Sequence, residues 1–188
     1  YGLVGSEMCI RDRVRSATRH AIKVAKENGA ILSFDPNIRE PLWKDMEDAR
    51  TQMAYGLSVC DILKISDNEI QWFSGKEDYT EGIHMLQQTY QIPLILLSMG
   101  KDGSRAYYKD MLVEVPAFLQ KNTIETTGAG DTFGACCLHH ILKYGLDNLT
   151  KQQLKEMLTF ANAAASIITT RKGALRVMPS LEEIQRLL

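Results

Sequence analysis

Short apolar runs alternating with amphipathic helical segments constrain this chain more than any other feature. The runs Ala30-Ile31-Leu32-Ser33-Phe34, Asp61-Ile62-Leu63-Lys64-Ile65 and Pro93-Leu94-Ile95-Leu96-Leu97-Ser98 have the length and near-continuous hydrophobicity of buried parallel strands. Residues 16–28 place Ala17, Ala21, Val24 and Ala25 on one helical face and stop at Asn28-Gly29. The spacing predicts further helices over 45–59, 68–73, 80–90, 132–144, 150–169 and 181–188. Residues 104–109 and 111–115 flank Lys109-Asp110 and predict an antiparallel hairpin at one edge. Strands alternating with helices imply an α/β fold, a mostly parallel sheet with helices on both faces. No repeat, low-complexity tract or linker interrupts the pattern, so the reading is one domain or most of one.

Composition narrows the function classes. With 188 residues, 45% of them hydrophobic and 24% charged, the chain is globular and long enough for one sizeable core. A net charge of −1 gives no general attraction to nucleic acid or to an anionic membrane, so any phosphate recognition has to be local. No apolar run is long enough to span a bilayer. The four cysteines (Cys9, Cys60, Cys136 and Cys137) contain no Cys-x-x-Cys pair and no disulfide framework. They read as reduced thiols, at least one of them packed in the core, in a cytoplasmic protein. Residues 1–13 show no helical or strand periodicity, and the string over 6–13 looks like translated adapter sequence. They are set aside as a non-native leader, and the folded domain is expected over 14–188.

Chemistry concentrates in Ile124-Glu125-Thr126-Thr127-Gly128-Ala129-Gly130-Asp131-Thr132-Phe133-Gly134. A strand-like run precedes it and a helical pattern follows. A Gly-Ala-Gly turn opening a helix leaves backbone N–H groups unpaired and unscreened, a site for an anion and for phosphate above all. An aspartate beside such a site repels ground-state phosphate. It suits a carboxylate that takes a proton from an attacking hydroxyl while the amides hold charge on a transferring phosphoryl group. By itself Gly-x-Gly-Asp is equally a glycine turn with Asp131 capping the helix.

Four other stretches carry polar groups, three of them just after strands. Asp35-Pro36-Asn37-Ile38-Arg39 is an Asx/Pro turn unless Arg39 grips phosphoryl oxygens. Ser66-Asp67-Asn68-Glu69 has the form of a capping box. Ser98-Met99-Gly100-Lys101-Asp102-Gly103 is a glycine-punctuated turn, and Phe160-Ala161-Asn162-Ala163-Ala164-Ala165 is a small-residue helix face leading to Lys172-Gly173-Ala174. His20, His84, His139 and His140 have no carboxylate spaced for a triad or a metal site. The Walker-A form is missing, since no Gly-Lys-Ser/Thr follows the glycines.

Taken together and in this order, the five stretches resemble the signature segments of the PfkB (ribokinase-like) carbohydrate kinases. Asp35-Pro36-Asn37-x-Arg39 with Pro41-Leu42-Trp43 behind it is most similar to the fructokinase branch. The resemblance covers the chain from about Arg15 onward. It implies a ribokinase-like three-layer sandwich, of which this chain is the C-terminal portion without the N-terminal part and the lid. It implies ATP-dependent phosphorylation of a sugar hydroxyl, fructose to fructose 6-phosphate. Asp131 would be the general base, the amides of Gly128, Ala129 and Gly130 the anion hole, and Arg39 or Lys64 a neutralising charge. Asn37 and Arg39 fall on the substrate side, and Lys64, Ser98, Gly100, Gly103, Asn162 and Gly173 on the nucleotide side. Glu69 would act through water on the Mg²⁺ of the nucleotide, with Ser66 in place of the family's usual asparagine.

The first acidic position before the glycines is usually Asp in the family and is Glu125 here. That region helps form a monovalent-cation site in several members, so the departure puts K⁺ activation in question. The resemblance leaves other substrates of the family open (another hexose, 2-keto-3-deoxygluconate, a nucleoside), as well as a non-catalytic nucleotide-binding fragment. It allows a homodimer for a full-length protein and implies no nucleic acid or membrane partner. Most sugar contacts would come from the missing half, so the 188-residue chain alone is expected to be inactive. A dinucleotide-binding oxidoreductase fits less well, because Gly-x-Gly-x-x-Gly and a ribose-binding acid are both lacking.

Overall fold

Each buried run becomes a strand in the computed structural model, which describes residues 2–4 and 12–188, with side chains from residue 14. The chain divides into two compact units, Tyr1–Leu97 and Ser98–Leu188, with no linker segment between them.

The first unit runs β1 (Gly2–Val4), α1 (Asp12–Glu27), β2 (Leu32–Phe34), α2 (Met46–Val59), β3 (Ile62–Ser66), α3 (Asp67–Ser74), α4 (Tyr79–Tyr90) and β4 (Leu94–Ser98), whose last residue already belongs to the second unit. β2 pairs in parallel with β1 on one side and with β3 on the other, matching Ser33 with Leu3 and Phe34 with Leu63. The helix between β2 and β3 is the crossover that parallel pairing requires. The expectation that residues 1–13 hold no strand is corrected here: Gly2–Val4 extends the sheet beyond β2. Three residues are too few to display an alternation of period two, so the sequence carries no readable signal. Helix α1 likewise begins at Asp12, ahead of the periodic stretch that marks it.

Phe34, Met53, Leu57, Ile62, Leu63, Ile65, Ile70 and Leu86 are almost fully buried, so the apolar runs and helix stripes form the core of this unit. Gly56 in α2 sits over the Phe34 ring, and a Cβ there would lie 2.5 Å from Phe34 Cζ. The missing side chain is what lets α2 close on β2. Helix starts follow their caps. The Asp45 side chain accepts from Glu47 N, Asp78 accepts from Thr80 N and Glu81 N, and Ser66 with Glu69 closes a capping box on α3.

The second unit opens with the hairpin β5 (Ser104–Tyr108) and β6 (Met111–Val115), antiparallel from Ser104 opposite Val115 to Tyr108 opposite Met111. The chain turns with Lys109 at φ 52°, as the sequence predicts for Lys109-Asp110. Three helices follow: α5 (Ala129–Tyr144), α6 (Lys151–Ile168) and α7 (Leu181–Leu187). Thr150 and Gln153 form the capping box of α6. Ala163, Ala164 and Ile184 pack as one cluster, joining α7 to α6 through small residues that permit close approach. Arg171 pairs with Glu183 and holds that carboxyl below its ordinary range. Burial pushes the Cys60 thiol up to about 12 and Cys136 to about 11, so both stay protonated and act as packing groups. Among the described residues no helix is long and apolar enough to cross a membrane.

Candidate active site

After β6 the chain leaves the hairpin at Pro116, and α5 does not begin until Ala129. Gly128 is the N-cap of α5 with φ 77°, a backbone that L side chains rarely adopt. A Cβ on it would lie 3.3 Å from both Ala174 Cβ and Ile168 Cδ1, so the turn is pressed against the segment that follows α6. The Ala129 N–H closes the turn onto Thr126 O at 3.1 Å, and Thr132 N–H donates to Gly128 O at 2.9 Å. Among the described residues, the N–H groups of Gly128, Gly130 and Asp131 have no backbone acceptor. Of the three amides expected to form an anion hole, Ala129's is therefore spent inside the turn, while Gly128 and Gly130 keep theirs and Asp131 adds one. The Asp131 carboxylate stands exposed on the first turn of α5. The helix dipole there favours an anion and the carboxylate adds a proton acceptor beside it.

Next to this turn lies a cavity of about 310 Å³ within the second unit, at the lower end of the range for small-molecule sites. Ala129 and Gly130 line it, so the start of α5 faces the cavity directly. Ser98, Gly100, Gly103 and Asn162, all expected on the nucleotide side, line it too. Gly103 has φ 97°, and a Cβ on it would lie 2.2 Å from Val115 O and 2.8 Å from Pro116 Cα. Only glycine lets that turn meet the end of β6. Gly100, at φ 53°, has nothing within 4 Å of its Cβ direction.

Asn162, 8% exposed, donates from Nδ2 to Val115 O at 3.1 Å and to Pro116 O at 3.0 Å. Its amide nitrogen therefore ties α6 to the end of β6 rather than waiting for a ligand. Gly173 is not among the lining residues. Its N–H donates to Glu125 Oε1 at 2.6 Å, and its φ of 119° shapes the loop after α6.

The sequence reading missed the wall supplied by Phe118, Leu119, Gln120 and Thr123, together with Ser166 and Thr169 from the end of α6. The first four lie in an irregular segment without periodicity, and no local signal marks them. Phe118, Phe133 and Ala165 make the cavity largely apolar, and Gln120 Nε2 donates to Ser166 Oγ at 3.2 Å.

The remaining candidates belong to the first unit and form a cluster of their own. Asn37 has φ 45°, and Ile38 N–H donates to Glu69 Oε1 at 2.9 Å. The other oxygen of Glu69 accepts from Ser66 N at 2.9 Å and Ser66 Oγ at 2.8 Å. Both oxygens are thus engaged, one capping α3 and one fixing the loop that carries Asn37 and Arg39. Lys64 pairs with Asp35 at 3.1 Å, its charge largely buried and balanced. Arg39 is exposed, donates to its own neighbour Ile38 O at 3.3 Å, and among the described residues has no ion-pair partner. It is the open cation of this loop.

The fold is of the ribokinase-like class. It superposes on the crystal structure of a fructokinase from Vibrio cholerae O395, solved in fructose, ADP and calcium ion bound form, with a TM-score of 0.90. That match is 28% identical and covers 99% of this chain and 59% of that one. Within that class, the pfkB family carbohydrate kinase model matches residues 7–181, and the chain belongs to that family. It is 38% identical over 176 residues to a probable fructokinase-2 of Arabidopsis thaliana, covering 94% of this chain and 53% of the relative. It is 37% identical over 176 residues to a putative fructokinase-8 of the same plant, covering 94% of this chain and 83% of that relative. The chain thus spans about half the length of the first of these relatives and more of the second.

Proposed function

We propose that this chain carries the nucleotide and phosphoryl-transfer portion of an ATP-dependent sugar kinase acting on fructose. One observation carries the reading: the amide-bearing start of α5, with Asp131 exposed on it, opens onto the apolar cavity lined by Ala129 and Gly130. Family membership and the similarity to fructokinases support the substrate class.

When bound with Mg²⁺, ATP supplies the γ-phosphoryl group to the sugar oxygen and departs as ADP. The rest falls to the chain's own groups. Asp131 takes the proton from the attacking sugar hydroxyl as the new oxygen–phosphorus bond forms. The N–H groups of Gly128, Gly130 and Asp131 stabilise the charge that builds on the phosphoryl oxygens. Phe118 and Phe133 keep water out of the base-binding end and offer it aromatic faces. In the first unit, Glu69 holds the loop on which Asn37 and Arg39 are presented.

A coupled assay of ADP release in the full-length polypeptide tests the substrate. Fructose should support turnover, with other hexoses, 2-keto-3-deoxygluconate and adenosine at least about tenfold lower in kcat/KM, the discrimination that one or two polar contacts supply. Preference for adenosine or for 2-keto-3-deoxygluconate would replace fructose as the substrate. ATP binding without turnover on any of them would make the chain a binding module.

A further inference from the structure

We propose that Glu125 is a positioning residue of this nucleotide site, a latch that holds the segment after α6 against the turn opening α5. The proposal rests on the reading of that cavity as the nucleotide site. Glu125 Oε1 accepts the Gly173 N–H at 2.6 Å, across 48 positions of sequence. The backbone beside it is clasped as well: Ile124 N–H and Glu125 N–H both donate to Thr169 O, at 2.8 and 3.3 Å. The segment from Thr169 to Gly173 is therefore held at both ends by Ile124-Glu125. What it holds matters to the site. Thr169 lines the cavity, and Ala174, the residue after Gly173, is the wall against which Gly128 is pressed. Releasing Gly173 frees Ala174 to move away from Gly128, and the amides of the α5 turn lose their backing.

The geometry also says which property of Glu125 counts. Its partner is a neutral N–H, and among the described residues Glu125 has no ion-pair partner, so what is needed is a hydrogen-bond acceptor at the reach of a glutamate side chain. A glutamine supplies that acceptor without the charge. An aspartate keeps the charge but is one methylene short, and it leaves the Gly173 donor unmet. The length of the glutamate side chain is thus what makes this contact.

The test uses the full-length polypeptide with Glu125→Gln, Glu125→Asp and Glu125→Ala. Amide hydrogen exchange is followed in the peptide covering 170–175, and ADP affinity is followed by calorimetry. Wild type and Glu125→Gln should exchange slowly and bind ADP alike. Glu125→Asp and Glu125→Ala should exchange about tenfold faster and bind ADP about tenfold more weakly, the effect of losing one hydrogen bond and leaving its N–H donor unmet. Glu125→Asp matching wild type while Glu125→Gln matches Glu125→Ala would show that charge is required and overturn the latch. Altered exchange with unaltered ADP affinity would also overturn it, since the contact would then be structural only. Should wild type fail to bind ADP, the nucleotide reading fails, while the exchange pattern still decides whether the Glu125–Gly173 contact exists.

Discussion

Asp131→Asn in the full-length polypeptide should lower kcat by about 10³-fold while ATP affinity stays within a few-fold. The substitution keeps size and hydrogen-bonding ability, and it leaves the Gly128, Gly130 and Asp131 amides where they are. It removes the one exposed carboxylate on the first turn of α5. If that carboxylate accepts the hydroxyl proton, the loss falls on turnover. Removing a negative charge beside bound phosphate should even tighten ATP slightly. Pre-steady-state turnover and nucleotide titration on the same preparation separate the two. An Asn variant that keeps most of its turnover would take Asp131 out of the chemistry.

Gly103→Ala should do the greatest structural damage of any single methyl group at the site. Its Cβ would sit 2.2 Å from a backbone carbonyl oxygen, at φ 97° and ψ −142°. Strain in that backbone region costs about 1–3 kcal/mol, and forced displacement of the β6 end costs a similar amount. Together these give roughly 4 kcal/mol, a fall in Tm of about 8–16 °C for a chain of this size. ADP binding should be lost with it, because the same turn forms one wall of the cavity. Gly100→Ala is the internal control. Its φ is 53° but it meets no atom within 4 Å, so strain alone applies and the cost stays near about 1 kcal/mol. Equal effects at the two glycines would mean that the close approach of Gly103 to Val115 and Pro116 does not constrain the fold.

Where the fold was legible, long periodic elements made it so. The stripe over 16–28, the capping box at Ser66 and Glu69, and the continuous apolar runs of β3 and β4 each carry a local signal that packing reinforces. Strand β1 escaped because three residues cannot show a period, and α1 started early because its first turn precedes the amphipathic stretch. The candidate site was legible wherever glycine marks a demanding backbone, at Gly103 and Gly128. It was not legible where the cavity lining comes from placement alone. Phe118, Leu119 and Gln120 reach the cavity from an irregular segment, and nothing local distinguishes them from any surface loop. Partner choice was hidden for the same reason. Asn162, Glu69 and Lys64 carry groups suited to ligands, yet each spends them on Val115 and Pro116, on Ile38 and Ser66, or on Asp35. Those contacts depend on segments that only the fold brings near.

The central claim is that the start of α5 holds the phosphates of a nucleotide whose base lies in the adjoining cavity. Titrating ADP into isotopically labelled protein and following backbone amide resonances tests it most directly. The Gly128, Gly130 and Asp131 amides should shift strongly and saturate together with Phe118 and Ser166, while adenosine should move Phe118 and Ser166 and leave the three amides in place. Saturable ADP binding whose shifts bypass Gly130 and Asp131, or adenosine shifting them as ADP does, would contradict the account.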